Sequence, residues 1–269
     1  MRQRSSLARL LASAAMTAIL AAGLGGCQTM SDITGSITSS KADASPAADP
    51  RAQVDVYGER YRADPGNVDA AIAYGQALRA TGQRSQAVAV LEQANIKHGG
   101  NRALLAAWGR ALADNGNFQQ AFDVLTRAHS PDNPDWRILS VQGTTLDQLG
   151  RHDEARRYYA SALKIMPDEP SVLSNLGMSY VLSRELPKAE EVLRRAYAST
   201  RADARVRQNL GLVVGLQGRF AEAEGIVKAD LPAEEAAANV AYLKQMLSRK
   251  DNPRGGAGTI PVAALNRPD

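Results

Sequence analysis

The sequence predicts an all-α protein built from repeated pairs of helices. Aromatic residues make up only 5% of the 269 residues, whereas alanine, leucine and arginine are plentiful. Strands draw on aromatic and β-branched side chains, so this usage favours helices. Two series of small residues recur every 34 positions in the same register: Gly75, Gly109, Gly143, Gly177 and Gly211, with Ala87, Ala121, Ala155, Ala189 and Ala223. A fixed period of this length indicates stacked helical units.

Each unit is predicted to contain two helices. Five glycines at one helical phase each cost about 1 kcal/mol relative to alanine, which indicates the close approach of a partner helix. Large apolar residues at helical spacing surround the glycines, as in "LAAWGRAL" and "LSNLGMSY", and mark the first helix. The second helix carries the repeated alanine and, four residues later, a large residue: Leu91, Leu125, Tyr159, Leu193 and Val227. Glycine turns such as "ATGQ" and "DNGN" separate the helices, while the fourth unit has "LSRE".

This helix–turn–helix pattern resembles the tetratricopeptide repeat over roughly residues 51–231. The resemblance implies a solenoid of about five full units, preceded by a half unit in "AQVDVYGERYRADPGN" and followed by a capping helix. Three residues depart from the family pattern: Gln142, Arg207 and Asp230. The last two weaken the signal for the second helix of the fifth unit, which could end early at "DLP".

The capping helix is predicted in "PAEEAAANVAYLKQMLSRK". Glutamates in its first turn and basic residues in its last turn suit the helix dipole. One apolar stripe consists of Val240, Leu243 and Leu247, and we expect it to cover the last unit. Tyr242 and Met246 form a second stripe. The sequence leaves two interpretations of that stripe open, burial within the cap or contact with a partner.

The first 26 residues have the pattern of an export signal. Arginines at positions 2, 4 and 9 precede an apolar run over residues 10–24 and two glycines. As a helix, this run would reach about 22 Å, short of a bilayer core of about 30 Å. The "LGGC" that closes it resembles the bacterial lipobox. That resemblance implies that Cys27, the single cysteine, becomes the first mature residue and carries acyl chains.

Composition divides the rest of the chain. We expect a flexible tether over residues 27–50, the solenoid with its cap over 51–250 and a disordered tail over 251–269. The signal contains three arginines and no acid, so the formal charge of +4 falls to about +1 after its removal. No block of basic residues interleaved with aromatics remains, so we predict no binding of nucleic acid.

The sequence predicts no enzyme. It contains no "GxxxxGK", "HExxH" or "GxSxG" motif. The three histidines, His98, His129 and His152, fall near helix ends without metal-ligand spacing, and we interpret them as surface turn residues. We therefore expect no metal, no cofactor and no small-molecule substrate.

Function is expected on the concave groove that the first helices of such solenoids line. The first three units place small or polar residues there, including Gln76, Arg79, Arg110, Thr144 and Asp147. The later units place apolar residues and two asparagines: Met178, Val181, Leu182, Leu212 and Leu216, with Asn175 and Asn209. In the tetratricopeptide family the asparagine position often holds a peptide backbone. The pattern predicts a peptide groove in the C-terminal half, with burial of some of these residues between helices as the alternative.

An exported lipoprotein with this solenoid resembles the TadD family of tight-adherence pilus-assembly lipoproteins. Its "EEAAANVAYLKQML" segment and five-unit length are similar to that family. The resemblance implies an outer-membrane lipoprotein, facing the periplasm, that assembles or localises the secretin of a Flp-type pilus. Gln28, rather than aspartate, agrees with release from the inner membrane under the family rule. A general scaffold for envelope complexes and an accessory subunit of a cell-wall enzyme remain open as alternatives.

Overall fold

The computed structural model describes residues 49–251, with side chains described up to residue 248. The predicted export signal, Cys27, almost all of the tether and almost all of the tail lie outside the described residues. The described part is all-α and contains twelve helices: α1 (Pro50–Ala63), α2 (Val68–Ala80), α3 (Arg84–Lys97), α4 (Arg102–Asp114), α5 (Phe118–Ala128), α6 (Trp136–Gln148), α7 (His152–Ile165), α8 (Pro170–Leu182), α9 (Leu186–Tyr197), α10 (Ala204–Leu216), α11 (Phe220–Val227) and α12 (Ala233–Asp251).

The helices form the predicted solenoid. Five pairs, α2 with α3 through α10 with α11, are each joined by a three-residue turn. The first helices of successive pairs, α2, α4, α6, α8 and α10, also contact one another in that order. Helix α1 packs on α2 as a leading half unit, and α12 packs on α10 and α11 as the cap. The repeat fold with five full units is therefore confirmed.

The first helix of every pair begins at a polar cap that follows the same 34-residue register. Its side chain accepts a hydrogen bond from a backbone N–H two or three residues further on, and the capping residues are Asn67, Asn101, Asp135, Glu169 and Asp203. Side-chain oxygens at this position satisfy N–H groups that a helix leaves without partners. The caps therefore define where each unit starts.

The turn within each pair needs a left-handed residue. Gly82, Gly116, Gly150 and Gly218 have φ between 75° and 85°. The fourth unit places Arg184 there with φ 64°. Its backbone closes the turn like the others, since the N–H of Glu185 donates to the carbonyl oxygen of Tyr180 at 2.8 Å. A side chain thus occupies a conformation that glycine adopts without strain.

Replacing Arg184 by glycine should stabilise the fold. Removing a Cβ from the left-handed region gains about 1–2 kcal/mol, and the greater freedom of glycine in the unfolded chain offsets part of this gain. We expect the free energy of unfolding to rise by about 0.5–1 kcal/mol. Urea denaturation measures it, and Gly150→Arg at the equivalent turn is the control with the opposite sign. A loss of stability on Arg184→Gly would contradict this account of the turn.

Each pair of helices is packed together at a glycine. A Cβ built on Gly109 would lie 2.5 Å from Cγ of Leu125, and the other four repeat glycines would meet a side chain of the second helix at 2.5–2.7 Å. The side chains they meet are the predicted large residues, Leu91, Tyr159, Leu193 and Val227. The five repeat alanines are 0–1% exposed. Glycine is therefore required at these positions by the distance between the helices.

Gly109→Ala should destabilise the chain although alanine is the better helix former. The added methyl group cannot fit beside Leu125, so repacking costs about 1–3 kcal/mol. The helix-propensity gain of about 1 kcal/mol offsets part of that cost, and we expect the free energy of unfolding measured by urea denaturation to fall by up to about 2 kcal/mol.

Gly225→Ala in α11 is the matched control. No atom lies within 4 Å of a Cβ at Gly225, so the same substitution should raise stability by up to about 1 kcal/mol. Equal effects of the two substitutions would refute the packing explanation.

The residues that depart from the repeat pattern all have hydrogen-bond partners within the fold. The Arg207 guanidinium donates two hydrogen bonds to the Asp230 carboxylate, each at 2.5 Å, so these two departures form one bidentate ion pair. Gln142, in a leucine position, is 1% exposed and bonds Thr126 and His129 at 3.1 and 3.0 Å. Helix α11 ends at Val227, before the "DLP" segment.

Candidate functional site

The predicted groove residues of the C-terminal half differ in their access to solvent. Leu182 on α8 and Leu212 on α10 are 42% and 36% exposed. Three more, Val181, Asn209 and Leu216, are half-buried. Asn175 and Met178 are 9% and 6% exposed, and so they differ from the expectation that they face a ligand. Leu182 and Leu212 are the members of this set that a partner can reach directly.

The two asparagines join successive first helices. Nδ2 of Asn175 donates to Oγ of Ser140 at 3.1 Å, linking α8 to α6. Nδ2 of Asn209 donates to Oγ of Ser174 at 2.9 Å, linking α10 to α8. Both amides therefore hold the solenoid together. Each bond uses one of the two N–H donors of its amide, so the half-buried Asn209 keeps a second donor and its acceptor oxygen for a partner, whereas burial limits access to Asn175.

Asp147, predicted as a polar groove residue, is buried in a hydrogen-bond network. Its carboxylate accepts hydrogen bonds from the hydroxyls of Tyr159 at 2.8 Å and Ser179 at 2.7 Å, and Nδ1 of His152 lies 2.9 Å from it. Burial, and then the negative charge of Asp147, raise the pKa of the Tyr159 hydroxyl well above its ordinary value. His152 therefore belongs to this network, which joins α6, α7 and α8. The Asp147 carboxylate already has three partners within the fold.

The remaining polar groove residues lie in the first three units. Nε of Arg79 donates to the Asp114 carboxylate at 2.6 Å, which links α2 to α4. Thr144 is half-buried and bonds within its own helix, while Gln76 is exposed. Nε of Arg110 is buried and has no hydrogen-bond partner among the described residues.

The two apolar stripes of the cap helix α12 differ in their burial. Leu243 lies against α10, where a Cβ on Gly215 would be 2.5 Å from its Cδ2, and Val240 packs on the core formed by α9 and α10. Tyr242 and Met246 are 50% and 52% exposed. The second stripe is therefore available to solvent and not buried in the cap.

Charged residues on the second helices of the last two units are paired with one another. Glu190 on α9 binds Arg194 on its own helix and Arg219 at the start of α11, and Arg194 also binds Glu222 at 2.5 Å. Hydrogen bonds from Arg219, Arg194 and Gln217 lower the pKa of the Glu190 carboxyl to about 2. Partial burial of the carboxylate acts in the opposite direction and raises this pKa, but by less. The carboxylates and guanidinium groups of this network are therefore paired with one another.

The stability that Glu190 contributes should depend on pH. Its folded-state pKa of about 2 lies below the ordinary value of 4.5, so the contribution is fully present above pH 4.5 and is lost as the pH falls towards 2. Glu190→Gln should lower the free energy of unfolding by about 1–2 kcal/mol at pH 7 and by less at pH 3.

Urea denaturation at both pH values measures the effect of Glu190→Gln. The exposed neighbour Glu191 provides the control, because Glu191→Gln should change stability by under about 0.5 kcal/mol. A Glu190→Gln effect of the same size at both pH values would refute the assigned pairing.

A cleft of about 370 Å³, not foreseen from the sequence, lies between the start of α4, the connection at residues 129–135 and the start of α6. Helix α5 ends at Ala128, whereas α3 and α7 run to Lys97 and Ile165, which both correspond to Pro131 in the 34-residue register. Proline lacks the N–H and clashes with the preceding turn, so Pro131 shortens α5. We call this space the α4–α6 cleft. Its signal in the sequence was the proline pair in "HSPDNPDW".

The described residues contain no group of three or more histidine, cysteine or acidic side chains arranged to hold a metal ion. Between residues 49 and 251, no helix combines the length and the apolar character needed to cross a bilayer.

The repeats and their packing define an all-α solenoid of the tetratricopeptide-repeat fold, which is suited to binding other proteins. Residues 106–170 and 148–213 each match a tetratricopeptide-repeat family model. No curated protein matches the sequence. Neither matching family describes a catalytic domain.

Solved tetratricopeptide-repeat structures share the fold at low identity. PilW, a widely conserved type IV pilus biogenesis factor, gives a TM-score of 0.63 at 17% identity over 72% of this chain and 91% of that one. A repeat protein from Parabacteroides merdae gives a TM-score of 0.61 at 14% identity, over 76% of this chain and 78% of that one. A thermophilic repeat protein in Thermus thermophilus gives a TM-score of 0.56 at 20% identity, over 68% of this chain and 97% of that one. Identities this low establish the fold alone.

Proposed function

We propose that this chain is a lipid-anchored scaffold of the bacterial outer membrane that assembles or localises the secretin of a Flp-type pilus. The observation that carries the binding role is the exposure of Leu182 and Leu212, at groove positions of successive first helices. Exposed apolar residues on neighbouring elements of a rigid scaffold are typical of protein-binding surfaces. A segment of the secretin binds there, over the half-buried Val181, Asn209 and Leu216.

The pilus role rests on two likenesses. The lipobox, the five units and the closing helix segment resemble the TadD family of pilus-assembly lipoproteins. PilW shows that a solenoid of this fold serves a type IV pilus biogenesis factor. Together they favour a pilus partner over a general envelope scaffold or a cell-wall enzyme subunit.

The anchor in this proposal is Cys27. A single acyl chain binds a membrane only marginally, whereas several chains together, at about 0.8 kcal/mol for each buried CH₂, hold a protein stably. Acylation of Cys27 therefore keeps the solenoid at the membrane where the secretin inserts. The tether of residues 27–50 allows the solenoid to turn there, and Gln28 directs the lipoprotein to the outer membrane.

The test is a deletion strain complemented with variants of the full chain. We expect deletion to reduce multimeric secretin in outer-membrane fractions, as seen by immunoblotting. The double variant Leu182→Asp with Leu212→Asp should fail to restore it and should no longer co-purify the secretin, because charges replace the apolar contact. Cys27→Ser should release a folded chain from the membrane and also fail to restore the secretin.

Ile165→Asp is the matched control, since Ile165 is 40% exposed on a second helix outside the groove. It should restore the secretin fully. Normal secretin multimers in the deletion strain would overturn the pilus role. Co-purification of the secretin with the double variant at wild-type yield would overturn the groove assignment.

A further inference from the structure

The described solenoid ends in half of a helix pair on both sides. Helix α1 is a second helix, since it packs on α2 as α3 packs on α4, and no first helix precedes it among residues 49–251. Helix α12 takes the place of a first helix, because it contacts α10 and α11 as α4 contacts α2 and α3. No second helix follows α12 in the described part of the chain. Each end therefore leaves open a face that neighbouring helices cover in the complete pairs.

The open face of α1 carries large apolar side chains. Counting back 34 residues from Leu91 gives Tyr57, so Tyr57 has the position of the side chain that packs on a repeat glycine. Leu91 is 0% exposed, whereas Tyr57 is half-buried. Val56 is 47% exposed, against 9% for Val90 at the same position of the next unit. Helices on this side of α1 would cover both side chains.

The contacts of α12 show which of its residues corresponds to a repeat glycine. Between complete units, the residue four after a repeat glycine meets the residue two after the next one, as Asp147 meets Ser179 at 2.7 Å. Gly215, again four residues after a repeat glycine, lies against Leu243 of α12. Leu243 therefore stands two residues after the equivalent position, which is Ala241.

The open face of α12 carries small side chains. Ala241 is exposed, and so is Ala237 one turn before it. Alanine at both positions lets a second helix come close, although less closely than the repeat glycines do in complete pairs. A cap that only ended the solenoid would need a polar outer face, which these residues do not provide. The face therefore fits the large side chains of a second helix.

The two open faces also carry opposite charges. Glu234 lies one turn before Ala237, and Arg60 lies one turn after Val56. Neither charge forms an ion pair within residues 49–248, where the Arg60 guanidinium lies 5.6 Å from the centre of the Tyr57 ring. In a complete pair the short turn brings the start of the first helix beside the end of the second. The same arrangement of α12 and α1 would bring the Glu234 carboxylate to the Arg60 guanidinium.

We propose that copies of this chain stack end to end, with α12 of one copy and α1 of the next forming a complete helix pair. Tyr57 of one copy then lies against Ala241 of the other. Arg60 pairs with Glu234 across the same contact. Because the two faces differ, the contact is head-to-tail and repeats from copy to copy, so it builds open chains of copies and no closed symmetric dimer. The proposal goes beyond the proposed function, since it involves neither the secretin nor the groove residues.

Disulfide formation in the full chain tests the orientation of the contact. In the complete pair of α10 and α11, a Cβ on Gly215 would lie 3.5 Å from that of Ala223, a distance that suits a disulfide. The equivalent positions of α12 and α1 are Gln245 and Gln53. Both cysteine variants carry Cys27→Ser, which removes the native thiol. We expect Gln53→Cys and Gln245→Cys to form a mixed disulfide dimer on mild oxidation, and neither variant to dimerise alone.

Sedimentation of the Cys27→Ser chain measures the association. We expect its average mass to rise with protein concentration over about a hundredfold range, as mass action requires. Ala241→Arg should weaken the association at least tenfold, because a long charged side chain then occupies the face, while the circular dichroism spectrum stays unchanged. Ala160→Arg is the matched control at an exposed position of α7 and should associate like the parent chain.

A charge reversal tests the ion pair across the contact. Glu234→Arg should weaken the association about threefold, which is the range of an exposed ion pair. Adding Arg60→Glu to the same chain restores opposite charges at every contact and should return the association to that of the parent chain.

Three results would overturn the proposal: the mass of one copy at every concentration, a disulfide dimer of either cysteine variant alone, or association of Ala241→Arg equal to that of the parent chain. A constant mass would mean that another segment or another protein covers the two faces. The secretin experiment alters neither face, so either assignment can fail without the other.

Discussion

One repeated contact, the close approach of two helices at a glycine, builds the solenoid. In each unit a large side chain of the second helix lies where a Cβ of the first helix would be, as Leu125 does at Gly109. This contact sets the distance within a pair, and the pairs then stack through their first helices. Because each unit touches only its neighbours, repetition of one local contact is enough to build the solenoid.

Departures from the repeat are compensated inside the fold. Arg207 and Asp230 replace two apolar positions and form one bidentate ion pair between α10 and the residues after α11. Gln142 replaces a leucine and is satisfied by His129 and Thr126. Removal of one partner would leave the other unpaired, which costs more than the pair itself contributes. Arg184 is different, since nothing in the structure explains why a side chain replaces glycine in its turn.

Packing also determines which groups remain for a partner. The groove asparagines and Asp147 are used between helices, and the charges of the last two second helices pair with one another. Leu182 and Leu212 stay exposed.

The amino-acid sequence is sufficient to predict the helices, the five units, the leading and closing helices and the position of the packing glycine, because the contacts that define a unit recur every 34 residues. It also predicted Leu182 and Leu212 as groove residues, and both are exposed. The burial of Asn175 and Met178 could not be predicted in this way, because their exposure depends on how closely successive first helices approach in the folded chain. The α4–α6 cleft likewise needed the structure: Pro131 marks a shortened helix, but the open volume depends on which side chains from α4 and α6 surround it.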